Sequence, residues 1–398
     1  MKFDLVEIPL LLTDSTVAAF SRAAADAVFA GSARPLTIAL DSGSSSRAGL
    51  SLLRAAAFAS SIQGLSCRLA LLPDLANLPE PLSAHILSEA ERTAARGRRI
   101  VERLRDVVAI LASVGAEVVP LKGAALILRG DVEASQRPMG DLDLLLLDPS
   151  RITAAAETLM NRTHYRYLLS THRHLVFAEK EESVPSPGGE HPDNPLRIEL
   201  HHSFRIPVLG VDMDATQELR RDAERSPDGA LLLPHAVLFR HLWHHAAEDF
   251  AARGLRGIQA VDFLDMARRH GPVSAALDAR DCDAAAPLLY AADAIERLFP
   301  GTFERGSLDE LSRKVPPRLR ERAYRLSVLR HTRPTRGWSK TCLTLAPGII
   351  PKARFLLRTA FPTRGEVKAN IAPGASGLLL AIAWLRVLAR RAKNLLWS

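Results

Sequence analysis

The chain has 398 residues, 47% of them hydrophobic and 24% charged, which excludes global disorder and leaves room for two or three domains around a sizeable core. Its three cysteines, Cys67, Cys282 and Cys342, are odd in number and lack metal-ligand spacing, so a disulfide framework and a zinc module are both excluded and a reducing compartment fits. The formal charge of +8 is uneven: residues 301–398 hold 20 Lys and Arg against 5 Asp and Glu, a surplus of 15, and the total of +8 less that 15 leaves the first 300 residues at −7.

The N-terminus, "MKFDLVEIPLLLTDS", has early acids and no small-residue cleavage site, unlike a signal peptide. No stretch reaches the roughly 18 uninterrupted apolar residues of a spanning helix. The expected location is the cytoplasm, with peripheral membrane contact if the basic tail binds there. Residues 1–115 read as a mainly helical region containing "STVAAFSRAAADAVFA", "SLLRAAAFASSIQ" and a long helix over about Ser83–Val114 broken at Gly97. Within it "ARPLTIALDSGSSSRAGL" predicts a strand and a Ser-rich turn before a helix, the element order of a small α/β domain of the anti-sigma-antagonist type.

From Ala116 the texture changes. "AEVVPLKG" predicts a short strand with Pro120 at a bend or edge. "GAALILRG" predicts a short helix opened at Gly123 and closed at Gly130, a C-cap position. "GDLDLLLL" is the next strand, and Asp148-Pro149 reads as an N-cap and first helical residue. "HYRYLLS" and "HRHLVFAEK" predict two more strands, followed by the polar loop "EESVPSPGGEHPDNP". "LRIELHH" alternates, with Leu196, Ile198 and Leu200 on one face and Arg197, Glu199 and His201 on the other. After about Leu232 helix returns. The fold class is therefore α+β: a small mixed sheet in a core of residues 116–205, a helical domain over 206–300 and a basic helical region over 301–398.

Alternation places Asp141 and Asp143 side by side on one face of their strand, with Leu142, Leu144 and Leu146 on the other. Two such carboxylates repel, and each is expected to raise the other's pKa unless a cation compensates. A divalent ion is the usual agent, and Glu199 on a later strand offers a third carboxylate. Mg²⁺ held by carboxylates and clamping a polyphosphate is the requirement of phosphoryl and nucleotidyl transfer. Lys122 and Gly123 at a helix start offer charge and backbone N–H groups to phosphates, Gly123 permits close backbone approach, and Arg137 suits bidentate phosphate contact. Each piece also has a bland reading: a solvated strand end for the aspartates, a half-exposed strand for Glu199. The order of the elements favours the chemical one.

"LKGAALILRGDVEASQRPMGDLDLLL" resembles the signature of the uncharacterised nucleotidyltransferase family within the DNA-polymerase-β-like superfamily, and "IELHH" resembles its later hydrophobic-Glu-x-His strand. "LLLPHAVLFRHLWHHAAEDF" and the following helix, with His241, His244 or His245, and Asp262, resemble its next helices. The resemblance covers about Ser83–Arg269. It implies a minimal nucleotidyltransferase core, two-metal Mg²⁺ dependence and an NTP donor, with Lys122, Gly123, Asp141, Asp143 and Glu199 carried over by position. The acceptor, a small molecule, peptide or protein, is not implied. Against the wider superfamily, whose phosphate loop places a serine after its glycine, Ala124 follows Gly123 here, so Lys122 would have to take over the phosphate contact.

The histidines of "RHLWHH" allow three readings: core hydrogen bonding, a cleft wall, or a separate metal site or Arg-x4-His ribonuclease pair. Nucleic acid is a less expected partner than a small-molecule, peptide or protein acceptor. His201 shares the face of Glu199 and could orient it or serve as a base or nucleotide contact; His174 lies on a neighbouring strand. "SGLLLAIAWLRVLARRAKNLLWS" predicts a terminal amphipathic helix, either lying on an anionic membrane or docked on the protein itself. Three functions follow: a metal-dependent nucleotidyltransferase, a non-catalytic nucleotide-binding or interaction module, and a membrane-surface scaffold.

Overall fold

The apolar runs between residues 118 and 201 become one five-stranded sheet in the computed structural model, which describes residues 14–42, 49–171, 173–179, 191, 193–226, 230–275, 284–326, 328–329, 343–360, 382 and 385. Its strands are β1 (Val118–Pro120), β2 (Asp141–Leu146), β3 (Tyr165–Ser170), β4 (His174–Glu179) and β5 (Arg197–His201), in the order β1-β2-β5-β4-β3. Pro120 sits on an edge strand, where its missing N–H breaks no ladder. β2 runs parallel to β5 and all other neighbours are antiparallel, so the sheet is mixed.

The leucine-rich face of β2 meets Ile198, Leu200 and Phe177 and is covered by α5 (Glu80–Ala112), whose Ile100, Leu104, Val107 and Leu111 recur at helical spacing, and by α7 (Ile152–Arg162). Asp148 accepts a hydrogen bond from the Ser150 N–H at 2.9 Å, and Pro149 opens the turn that leads into α7, as the sequence predicts. The helix α5 does not break at Gly97. A Cβ there would lie 2.3 Å from the Ala134 carbonyl oxygen, so the glycine serves close packing rather than a break.

The opposite face, through Val119 and Leu145, joins a second core that contains α1 (Asp14–Ala30), α2 (Arg34–Ser42), α3 (Gly49–Ile62), α4 (Ser66–Leu69), α9 (His235–Arg253), α10 (Gly257–His270) and α11 (Ala285–Leu298). The N-terminal helices and the helices after residue 235 thus share one apolar interior. Residues 34–42 form a helix, not the expected strand: Leu36 and Leu40, one turn apart, are both buried while the β-branched Ile38 between them is exposed. That helix removes the basis for a separate small α/β domain. Between core and helices lie α6 (Lys122–Leu128), α8 (Thr216–Arg221), and two small hairpins, β6 (Arg205–Val208) with β7 (Val211–Asp214) and β8 (Glu224–Arg225) with β9 (Leu231–Leu232). The first hairpin, which the sequence reading did not pick out, turns through Leu209 and Gly210, both at positive φ. Helices α12 (Arg305–Arg313), α13 (Pro317–Tyr324) and α14 (Ile349–Ala360) complete the described chain. Among the described residues no helix is long and apolar enough to cross a membrane. The expected amphipathic helix over residues 376–398 falls almost wholly outside them.

Candidate active site

The parallel pairing of β2 with β5 sets Asp143 directly beside Glu199, and Leu145 beside His201, so the pleat turns Asp143, Glu199 and His201 to one side of the sheet with Asp141 one step along. Strand β4 adds His174, opposite His201. The side they face is roofed by α9 and α10. Together they enclose a cleft of about 490 Å³ that Lys122, Arg137, Arg173, His245, Asp249 and Gln259 also line. Of the sequence-predicted residues, all except His201 line this cleft; His201 lies just beneath its floor, against Asp143.

Asp143 is buried, and its Oδ1 accepts from the Lys122 ammonium at 2.7 Å and pairs with His201 Nε2 at 3.0 Å. Burial alone would raise the Asp143 pKa, but Lys122 and His201 hold it well below the usual carboxylate range. The compensation that the aspartate pair requires is supplied at Asp143 by a lysine. Burial likewise opposes charge on Lys122, yet Asp143, Asp141 and Glu199 outweigh it and raise its pKa. For His201 burial is outweighed by the hydrogen bonds to Asp143 and Glu199, which raise it, whereas burial carries the His174 imidazole down to about 4. Glu199 stays below its ordinary value despite burial, held there first by His201.

Lys122 reaches Asp143 from an unusual backbone. Its φ of 50° places a lysine in the left-handed region, which costs on the order of 1 kcal/mol and persists only where the surroundings demand it. The next residue must be glycine for another reason than phosphate access: a Cβ on Gly123 would lie 2.4 Å from Met139 Sδ and 3.0 Å from the Arg137 guanidinium. Ala124 is buried in the core and offers no hydroxyl.

Arg137 does not aim its fork into the cleft. Nε and Nη2 donate to the two carboxylate oxygens of Asp262 at 3.2 and 2.8 Å, and Nη1 donates to the Pro138 carbonyl at 2.9 Å. The residue sews the loop before β2 to α10 across 125 positions of sequence. The "RHLWHH" histidines divide: His241 and His244 are buried, with His241 against Phe204, while His245 faces the cleft beside Asp249 and Gln259.

A residue the sequence reading passed over holds the carboxylate strands in place. Arg96 in mid-α5 is 2% exposed; it donates to the carbonyls of Met139 at 2.6 Å and Gly140 at 2.9 Å, immediately before β2, and to those of His191 at 2.8 Å and Asn194 at 2.9 Å, before β5. Arg99 and Arg103, on the same helix face, pair with buried Glu179 at the end of β4. A charged residue inside an amphipathic helix gives no sign of this in sequence. Arg96→Met, which keeps the stem and removes the donors, should lower stability by about 3 kcal/mol or more, since several bonds to a charged group are lost at once. A urea-unfolding midpoint equal to that of the wild type would show that the guanidinium does not hold these loops.

Asp141, Asp143 and Glu199 are oxygen donors on adjacent strands, facing one cleft, with Lys122 the cation among them. That donor set fits a divalent ion. His174, Glu199 and His201 form a further cluster whose potential ligand atoms lie within 4.8 Å of one another. A mixed sheet that carries an Asp-x-Asp strand after a strand–lysine–glycine–helix unit, and a third acid on the neighbouring strand, is a nucleotidyltransferase core. The chain belongs to the uncharacterised nucleotidyltransferase family, whose model matches residues 50–300. Neither the curated proteins nor the solved structures gave a match.

Proposed function

We propose that the protein is a metal-dependent nucleotidyltransferase that moves a nucleoside monophosphate from an NTP to a hydroxyl or phosphate of a small-molecule, peptide or protein acceptor. The observation that carries this reading is the register of Asp143 beside Glu199, with Asp141 one pleat away, at the floor of a cleft large enough for a nucleotide. In the reaction the acceptor oxygen bonds the α-phosphorus as the bond to pyrophosphate breaks, and the acceptor proton leaves to a base or solvent. Bound divalent metal, two ions in the reading that the family resemblance suggests, neutralises the polyphosphate and lowers the charge barrier to attack. Asp141, Asp143 and Glu199 would hold it. Lys122 supplies a cation beside the phosphates, and His201, bonded to Asp143, orients that carboxylate. Arg137 supports the site through Asp262 and the loop before β2 rather than by gripping phosphate.

The experiment is incubation of the purified protein with Mg²⁺ and each labelled NTP, with pyrophosphate release and labelled acceptor as readouts. Glu199→Gln should lower kcat by about a hundredfold or more while changing nucleotide affinity little, as expected for a group that acts mainly in the transition state. An unchanged kcat would remove Glu199 from the site.

One observation favours a second reading, a non-catalytic nucleotide-binding module: Ala124 stands where relatives in the wider superfamily carry a phosphate-binding serine. Tight Mg-NTP binding without turnover of any NTP would select it. We place the protein's work in the cytoplasm, at an anionic membrane surface. The tail surplus of 15 positive charges supports this, as do Ile349, Ile350 and Leu357, exposed on α14 beside Lys352 and Arg354.

A further inference from the structure

His174 has no part in carboxylate-only transfer chemistry, and His201 has only the orienting one. Strand pairing puts His174 directly opposite His201, and Glu199 lies one pleat from His201 on the same face, so the three side chains form a triangle at the cleft floor with His201 just beneath it. Glu199 Oε2 lies 3.6 Å from His201 Nε2 and 3.8 Å from His174 Nε2, and the two rings are 4.8 Å apart at an interplanar angle of 58°. Both histidines are buried, and among the described residues the Nδ1 atom of each has no hydrogen-bond partner. It is the Nε2 atoms of both rings that turn toward Glu199 Oε2, so these are the nitrogens that a cation beside that carboxylate would meet.

We propose that His174, Glu199 and His201 together ligate a divalent first-row transition metal, Mn²⁺ or a more nitrogen-seeking ion such as Co²⁺ or Zn²⁺, in preference to Mg²⁺. The proposal rests on the reading of this cleft as a metal centre and specifies which ion it takes. Mg²⁺ is a hard cation that asks for oxygen and keeps several waters, whereas imidazole nitrogen binds the transition series in increasing order from Mn²⁺ to Cu²⁺. Two imidazoles and one carboxylate on a rigid sheet therefore discriminate by donor chemistry. The surroundings favour a cation: Asp143 lies 3.0 Å from His201 Nε2, so an ion held by the triangle would adjoin the aspartate pair. The arrangement also explains why His174 belongs to the site although it lies on a different strand from Asp141, Asp143 and Glu199.

The test uses metal-free, full-length protein without nucleotide, so that it does not depend on turnover. Calorimetric titration with MnCl₂ and MgCl₂ should give Mn²⁺ the tighter binding by about tenfold or more. Pulsed EPR of the Mn²⁺ form should show ¹⁴N modulation from coordinated imidazole. His174→Ala should weaken Mn²⁺ binding by about tenfold or more, leave the Mg²⁺ constant unchanged and reduce the ¹⁴N modulation. Mn²⁺ bound without ¹⁴N modulation in the wild type, or equal affinities for the two ions, overturns the proposal even if His174→Ala fails to fold. Either of those results leaves the transferase reading intact, while NTP turnover that is absent with every metal would sink that reading and not this one.

Discussion

Asp143→Asn should abolish NTP turnover and also destabilise the protein, whereas Asp141→Asn should abolish turnover alone. The difference lies in their surroundings. Asp143 is 4% exposed and carries both the Lys122 ammonium and His201 on one oxygen. Asparagine keeps its shape but removes the charge, leaving a partly buried ammonium without its contact counter-ion and the buried imidazole with Glu199 alone, at 3.6 Å. Breaking a buried ion pair from one side typically costs about 3–5 kcal/mol, a large part of the roughly 5–15 kcal/mol that holds a domain folded. Asp141 is only partly buried at the strand mouth, so its removal relieves some repulsion at little structural cost. The lysine is what sets the two substitutions apart. Thermal melts with pyrophosphate release decide the matter. An Asp143→Asn protein that melts with the wild type and still turns over NTP would mean that neither the ion pair nor the metal role is real.

Lys122→Ala should raise the Mg-NTP dissociation constant and lower the melting temperature together. A charge-assisted contact to phosphate is worth about 1.5–3 kcal/mol, or roughly ten- to a hundredfold in affinity. The same nitrogen is the nearest cation to Asp143, so its loss also leaves that carboxylate undercompensated in the protein without nucleotide. Lys122→Arg should restore affinity only in part, because a planar fork does not reproduce a compact ammonium held at one oxygen. Lys122→Gly separates the two effects: glycine accepts a φ of 50° freely, so it should melt above Lys122→Ala by about 1 kcal/mol equivalent while binding nucleotide no better. A titration in which Lys122→Ala binds Mg-NTP as tightly as wild type would confine this residue to pairing with Asp143.

How far the sequence foretold this site depended on the distance over which each signal acts. Period-two alternation is local, and it assigned the carboxylate face of β2 and the glutamate face of β5 correctly. The Asp148-Pro149 helix start is likewise a short-range matter of capping. The helix at residues 34–42 failed for the complementary reason: Thr37 and Ile38 carry a strand-like composition, and only tertiary burial of Leu36 and Leu40 decides for helix. The partnership of Arg137 with Asp262 joins residues 125 apart, and the four carbonyls around Arg96 come from two loops; neither leaves any periodic trace. Arg137 accordingly reads as a phosphate contact from sequence alone, with no hint of its pairing with Asp262.

The sheet order has a consequence for how the chain must be assembled. Strand β5 does not extend the sheet; it enters between β2 and β4, which come earlier in the chain and lie on either side of it. Until residue 197 is reached, both of those strands present an unpaired edge to the same empty slot, the kind of surface that recruits other chains. The slot is closed by the strand that brings Glu199 and His201, and loops joining such distant partners close slowly. Completion of the sheet and completion of the acidic centre are therefore one event: no partly built version of this core can be sound as a sheet while lacking its third carboxylate.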